Sequence, residues 1–167
     1  MPKLIRWLDG AAVAWDDPFL AVDDDQPIPR GDVIIGLARF QNEGERLIGE
    51  GRSVGVRVEP HEAVEALAYD LPRIAVVALV FPKFRDGRAY SAAMLLRTRL
   101  GFKGELRAVG DVLLEQAPFM IRCGIDAFEP ADGSSADQWD RAARRFRHVY
   151  QRAADARVPA YLERAAS

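Results

Sequence analysis

The chain has 167 residues, of which 49% are hydrophobic and 29% charged, with a net charge of −2. This is the composition of a folded domain, able to bury about two thirds of the surface its unfolded chain exposes, and it excludes a disordered chain. A charge so near zero gives no global pull toward nucleic acid, and the longest apolar run, Ile74 to Pro82, is too short to span a bilayer.

Lys3–Leu8 and Ala11–Trp15 flank Asp9-Gly10, a dipeptide suited to the left-handed angles of a tight turn, and predict a β-hairpin lying against the main body. Asp23-Asp24-Asp25 with Pro27 and Pro29 reads as an exposed connection. From Asp32 a strand–helix alternation sets in: strands at Val33–Leu37, Val54–Val58, Ile74–Phe81, Glu105–Gly110 and Asp126–Phe128. The helices between them are expected at Arg39–Glu50, Glu62–Leu71, Ser91–Leu100 and Val112–Cys123, the last interrupted by Pro118. A final helix over Ala136–Asp155 is marked by the apolar stripe Trp139, Ala142, Ala143, Phe146, Val149, Tyr150 and Ala153.

Alternation of this kind predicts one α/β domain: hairpin and linker over 1–30, a βα core over 31–130 and a C-terminal helix over 131–167. The expected sheet is mainly parallel, of about five βα units joined by right-handed crossovers. An open three-layer sheet with helices on both faces is favoured. The alternative is a partial TIM-like barrel, whose concave face stays wet unless something covers it. In both, the loops after the strands share one edge, where α/β proteins usually place their chemistry.

The loop from Phe81 to Ser91 is the most informative part of that edge. Lys83, Arg85 and Arg88 lie together with Asp86, Gly87 and Ser91 between a strand and a helix amino terminus, an arrangement suited to a sulfate-, sulfite- or phosphate-sized anion. Asp86-Gly87 would make the turn and Ser91 would cap the helix. The plainer reading is a solvated basic loop in which Asp86 pairs with Arg88. Lys83 to Arg107 holds seven bases against Asp86 and Glu105, whereas residues 1–30 hold six acids against three bases. Arg57 and Arg107 interrupt apolar strands, where a buried charge needs a partner or a ligand. Gly110-Asp111 places a carboxylate on the same edge as Lys83, as the cap of the next helix, as an orienter of Arg107 or Lys83, or as a general base.

Cys123 is the sole cysteine, which excludes an internal disulfide and suits a reducing cytoplasm. Placed in a last helical turn after Met120 and Ile121, it reads as a buried structural thiol. His61 and His148 have no metal-ligand neighbours in sequence. No P-loop, glycine-rich dinucleotide fingerprint, Gly-x-Ser-x-Gly elbow or zinc spacing occurs, so no cofactor or metal is expected.

Phe81-Pro82-Lys83-Phe84-Arg85-Asp86-Gly87-Arg88, then Leu95-Leu96-Arg97, Gly104 to Val112, Gln116 and Arg122 to Phe128, resembles a proteobacterial family of unknown function. Its members are often encoded beside assimilatory sulfite reductase and described as oxidoreductases of sulfite reduction. The resemblance implies a cytoplasmic accessory protein of sulfite reduction, with sulfite reductase or a small oxyanion as partner and no nucleic acid or membrane. A homo-oligomer is left open. The alternative function is a small cofactor-free enzyme acting on an anionic metabolite through Asp111 and Lys83.

Overall fold

The computed structural model describes residues 4–166; Lys3 of the expected first strand lies outside them. Eight strands form one mixed sheet: β1 (Leu4–Leu8), β2 (Ala11–Trp15), β3 (Leu20–Ala21), β4 (Val33–Gly36), β5 (Val54–Val58), β6 (Val76–Phe81), β7 (Glu105–Gly110) and β8 (Ala127–Phe128). Their order is β2-β1-β8-β7-β6-β5-β4-β3. Strands β3 to β8 pair in parallel, while β1 runs antiparallel to both β2 and β8. The hairpin does not lie against the body. It extends the main sheet, so the sheet is mixed rather than mainly parallel.

Among the described residues the helices that join the core lie on one face of the sheet, which corrects the three-layer expectation. Leu37, Phe40 and Leu47 of α1 (Leu37–Gly49), Ala89, Ala93 and Leu96 of α2 (Arg88–Thr98), Ala117 and Met120 of α3 (Ala117–Arg122) and Trp139 of α4 (Ala136–Ala143) share one core. Alternate strand residues, among them Val33, Val56, Val77, Leu79, Leu106 and Phe128, join that core. The other face holds a small separate cluster, Ile34, Val76 and Ala78, covered by Phe19 rather than by a helix.

Chain connectivity shows that this second face is concave. Strands β2 and β3 are the two edges of the sheet, yet only Asp16 to Phe19 join them. Five residue steps reach about 18 Å at most. Eight strands laid flat at about 4.8 Å spacing are roughly 34 Å across. The sheet must therefore curl until its edges come within reach, and the four-residue strap closes the mouth of a half-barrel. This is the partial-barrel alternative, with its interior covered by the chain itself.

Three predicted helices differ. Glu62–Leu71 is replaced by short 3-10 turns at Val64–Leu67 and Leu71–Arg73, the second with Pro72 in its first turn. Val112–Cys123 shortens to a 3-10 turn at Leu114–Gln116 followed by α3, because Pro118 is tolerated only in a first turn. The last helix stops at Ala143; α5 (Ala160–Ala165) follows after an irregular stretch. Arg141 would have stacked its charge against Arg144 and Arg145, three and four residues on along that helix, an arrangement that weakens it. Phe146 and Tyr150, expected in its apolar stripe, are exposed.

Candidate functional site

At the carboxyl edge the chain leaves β6 at Phe81 and enters α2 at Arg88, three residues earlier than expected. Ser91 is consequently an exposed residue inside α2 and caps nothing. Asp86 takes over the start of the helix. Its Oδ1 accepts from the Arg88 amide at 3.1 Å and from Arg88 Nε at 3.0 Å, and Oδ2 accepts from Arg88 Nη2 at 2.6 Å. Those bonds hold the Asp86 carboxyl down at about 2, the side chain of Arg88 contributing most and its amide next. The Asp86–Arg88 pair of the plainer reading is thus present, and Arg88 is charge-compensated.

Lys83 and Arg85 differ from Arg88. Both are exposed, and neither side chain makes a hydrogen bond or ion pair among the described residues. Between them Phe84 exposes 54% of its surface. The loop that carries them is nonetheless fixed at two points. The Asp86 amide donates to the Lys83 carbonyl at 3.0 Å, and the Phe84 amide donates to Asp111 Oδ2 at 3.0 Å. Asp111 therefore braces the neighbouring loop and does not cap the helix that follows it, whose turn opens after Leu113. Gly110 makes this possible. Its φ of +94° turns the chain so that the Asp111 amide reaches the Phe81 carbonyl at 2.6 Å, and a Cβ at Gly110 would sit 2.5 Å from that same oxygen.

Arg57 and Arg107 are not on this edge but inside the half-barrel. In register across the sheet, Arg57 stands beside Ala78, Ala78 beside Arg107, Arg107 beside Ala127 and Ala127 beside Arg6. Partners in register share a face, so three arginines spaced by alanines form one row on the concave side. Arg107 is 1% exposed. Asp17 of the strap clamps it through two bonds, Nη1 to Oδ2 at 2.6 Å and Nη2 to Oδ1 at 3.0 Å. Glu105 accepts from its Nε at 2.7 Å and Glu129 from its Nη1 at 3.0 Å. Burial pulls the Arg107 pKa down, but bonds to Asp17 and Glu105 outweigh it and leave the guanidinium above its ordinary value. Arg6 lies 3.6 Å from Glu105, and Arg57 lies 3.6 Å from both Asp23 and Glu59.

The acidic bias of the first thirty residues is absorbed here. Asp17 and Asp23 serve the sheet arginines, and the Asp24 carboxylate fills the space where a side chain at Gly36 would stand. Arg57 and Arg107 have protein partners of their own, so they read as fold-closing charges and are separate from the Lys83 loop. The strap itself escaped the sequence reading. The nearest signal was that Arg107, in an apolar strand, had to have a partner.

Cys123 follows α3 and is half-buried rather than fully buried. Burial pushes its thiol up; Arg122 pulls it down by less and Asp155 adds to the rise. At neutral pH it is a protonated thiol, in keeping with packing rather than with nucleophilic chemistry. Among the described residues no group of three His, Cys, Asp or Glu side chains is placed to hold a metal ion, and no helix is long and apolar enough to cross a membrane.

The model of a bacterial protein family of unknown function (DUF934) matches residues 55–161, from β5 through the start of α5. The chain belongs to this family. The matched region takes in the Lys83 loop, Asp111, Arg107 and Cys123, while the strap and hairpin lie before it. No curated protein matches the sequence.

Proposed function

We propose that the protein is a cofactor-free accessory protein of sulfite reduction that docks a negatively charged partner on the loop carrying Lys83 and Arg85. The supporting observation is the pair of uncompensated cations on a braced loop, with the half-exposed Phe84 ring between them. Arg88 shows that the fold can neutralise a loop arginine with a neighbouring acid. Lys83 and Arg85 are left without one. Two free cations around an exposed aromatic ring suit an acidic protein surface better than a free ion, since a small oxyanion has no use for the ring. The pathway is suggested by the resemblance carried by residues 81–128, and sulfite reductase is the partner it implies.

An enzymatic reading, with Asp111 and Lys83 as an acid–base pair, has less support, because Asp111 already accepts the Phe84 amide. Capture experiments separate the two. Tagged protein from cells growing on sulfate as sole sulfur source should retain sulfite reductase, and the Lys83→Gln/Arg85→Gln variant should lose it at equal abundance. Equal capture by both forms, or turnover of an anionic metabolite by the isolated protein, would reject the docking reading.

A further inference from the structure

Where the predicted last helix is absent, the chain from Phe146 to Arg157 folds over the end of α3 and leaves a cleft of 780 Å³. That volume lies in the range of small-molecule sites. Part of its wall is aromatic. The rings of Phe119 and Phe146 stand 6.1 Å apart, tilted by 54°, and are about half exposed. Tyr150 beside them is almost fully exposed. A protein that left this much ring surface in a concave site without use would be unusual.

Three arginines, Arg122, Arg152 and Arg157, also line the cleft. Arg122 is neutralised by Asp155. Arg157 donates to the carbonyls of Phe146 at 2.8 Å and Arg147 at 2.7 Å, which fix the guanidinium without cancelling its charge. Arg152 makes no side-chain hydrogen bond or ion pair among the described residues, and His148 is paired with Glu163 at 2.8 Å. Two guanidinium groups with no acidic partner among the described residues therefore line the same cleft as these rings. The surrounding potential has the same sign, since residues 141–157 contain six arginines and one acid, Asp155. An inorganic anion would leave the rings wet. A purely apolar ligand would strip water from the arginines with no return.

We infer that this cleft binds a planar aromatic anion of the nucleotide class, its ring system stacked on Phe119 with the tilted Phe146 ring against its edge, and its phosphate paired with Arg152 and Arg157. Stacking on exposed rings and planar guanidinium–phosphate pairing are the contacts these side chains make best. The site is separate from the Lys83 loop.

Calorimetric titration of the full chain tests this with AMP and UMP as probes. Adenosine, inorganic phosphate and a short single-stranded oligonucleotide serve as controls. At least one mononucleotide should bind saturably at one site, with adenosine and phosphate each at least tenfold weaker. Arg152→Gln, at an exposed side chain without a partner, keeps the fold and should weaken the mononucleotide at least tenfold, as should Phe146→Ala; Lys83→Gln/Arg85→Gln should leave it unchanged. The inference is overturned if neither mononucleotide binds at millimolar concentration. It is equally overturned if phosphate alone binds as tightly, if Arg152→Gln has no effect, or if only the oligonucleotide binds.

Discussion

Replacing Arg107 by methionine removes the cation that ties the strap to the barrel floor while keeping an apolar side chain of similar length. Four hydrogen bonds to three carboxylates are lost. Charge-assisted bonds taken singly, at about 1.5–3 kcal/mol each, would sum to far more than the net effect. Asp17 and Glu129 keep about a quarter of their side-chain surface exposed and can turn toward water. Glu105, at 10%, is left with only Arg6 at 3.6 Å. The expected loss is that of a buried network deprived of one partner, about 3–5 kcal/mol. For a chain of this size that corresponds to a melting temperature lower by roughly 6–20 °C. Urea denaturation gives the free energy directly, and hydrogen exchange at the Leu20 amide, which donates to the Asp32 carbonyl at 3.0 Å where the strap ends, should report its release. Adding Asp17→Asn, Glu105→Gln and Glu129→Gln to the same chain should recover much of the loss, because the three carboxylates are then uncharged and Arg6, which loses Glu105, keeps part of its side chain exposed to water. A loss under about 1 kcal/mol, or no recovery in the neutralised chain, would refute the view that this network closes the half-barrel.

Gly110→Ala should destabilise by well over the ~1 kcal/mol of an ordinary glycine substitution, since the new Cβ meets the Phe81 carbonyl in a backbone with positive φ; Gly133→Ala, also at positive φ but in open space, should cost less. Asp126 is raised above its ordinary value by burial, against the pull of Arg97 and the Leu106 amide. The folded state then binds this proton more tightly than the unfolded one, so the contribution of Asp126 falls as pH rises from about 3.8 through the raised folded value. Melting curves of Asp126→Asn against pH should lack that component, and an unchanged pH profile would contradict the assignment. For Cys123 the raised thiol predicts slow alkylation at neutral pH, quickening only as pH passes the ordinary thiol range, and Cys123→Ala should lower stability by about 1 kcal/mol.

The parallel core was legible because β6 is a continuous apolar run and β5 and β7 are largely apolar around Arg57, Glu105 and Arg107, and Asp9-Gly10 announced its hairpin through backbone angles alone. The curl was not legible. It follows from a strap that joins opposite edges and from an Asp17–Arg107 contact ninety residues apart in sequence, and no local pattern encodes either. The end of the last helix was not legible because the apolar stripe continues past Ala143 in sequence, whereas the helix stops there and Phe146 and Tyr150 are exposed. At the carboxyl edge the residue types were recognised but their division was not. Asp86 takes Arg88, Asp111 takes the Phe84 amide, and Lys83 and Arg85 are left without a partner among the described residues.

That remainder is the core of the functional account, and its most direct test is the salt dependence of binding between the purified protein and sulfite reductase. Wild-type affinity should fall steadily as ionic strength rises from about 0.05 to 0.5 M, as expected for exposed charges with a Debye length near 10 Å at 0.1 M. Lys83→Gln/Arg85→Gln should bind weakly at every salt concentration, with its dependence largely gone. Binding by the double variant that matches wild type across the series would contradict the account.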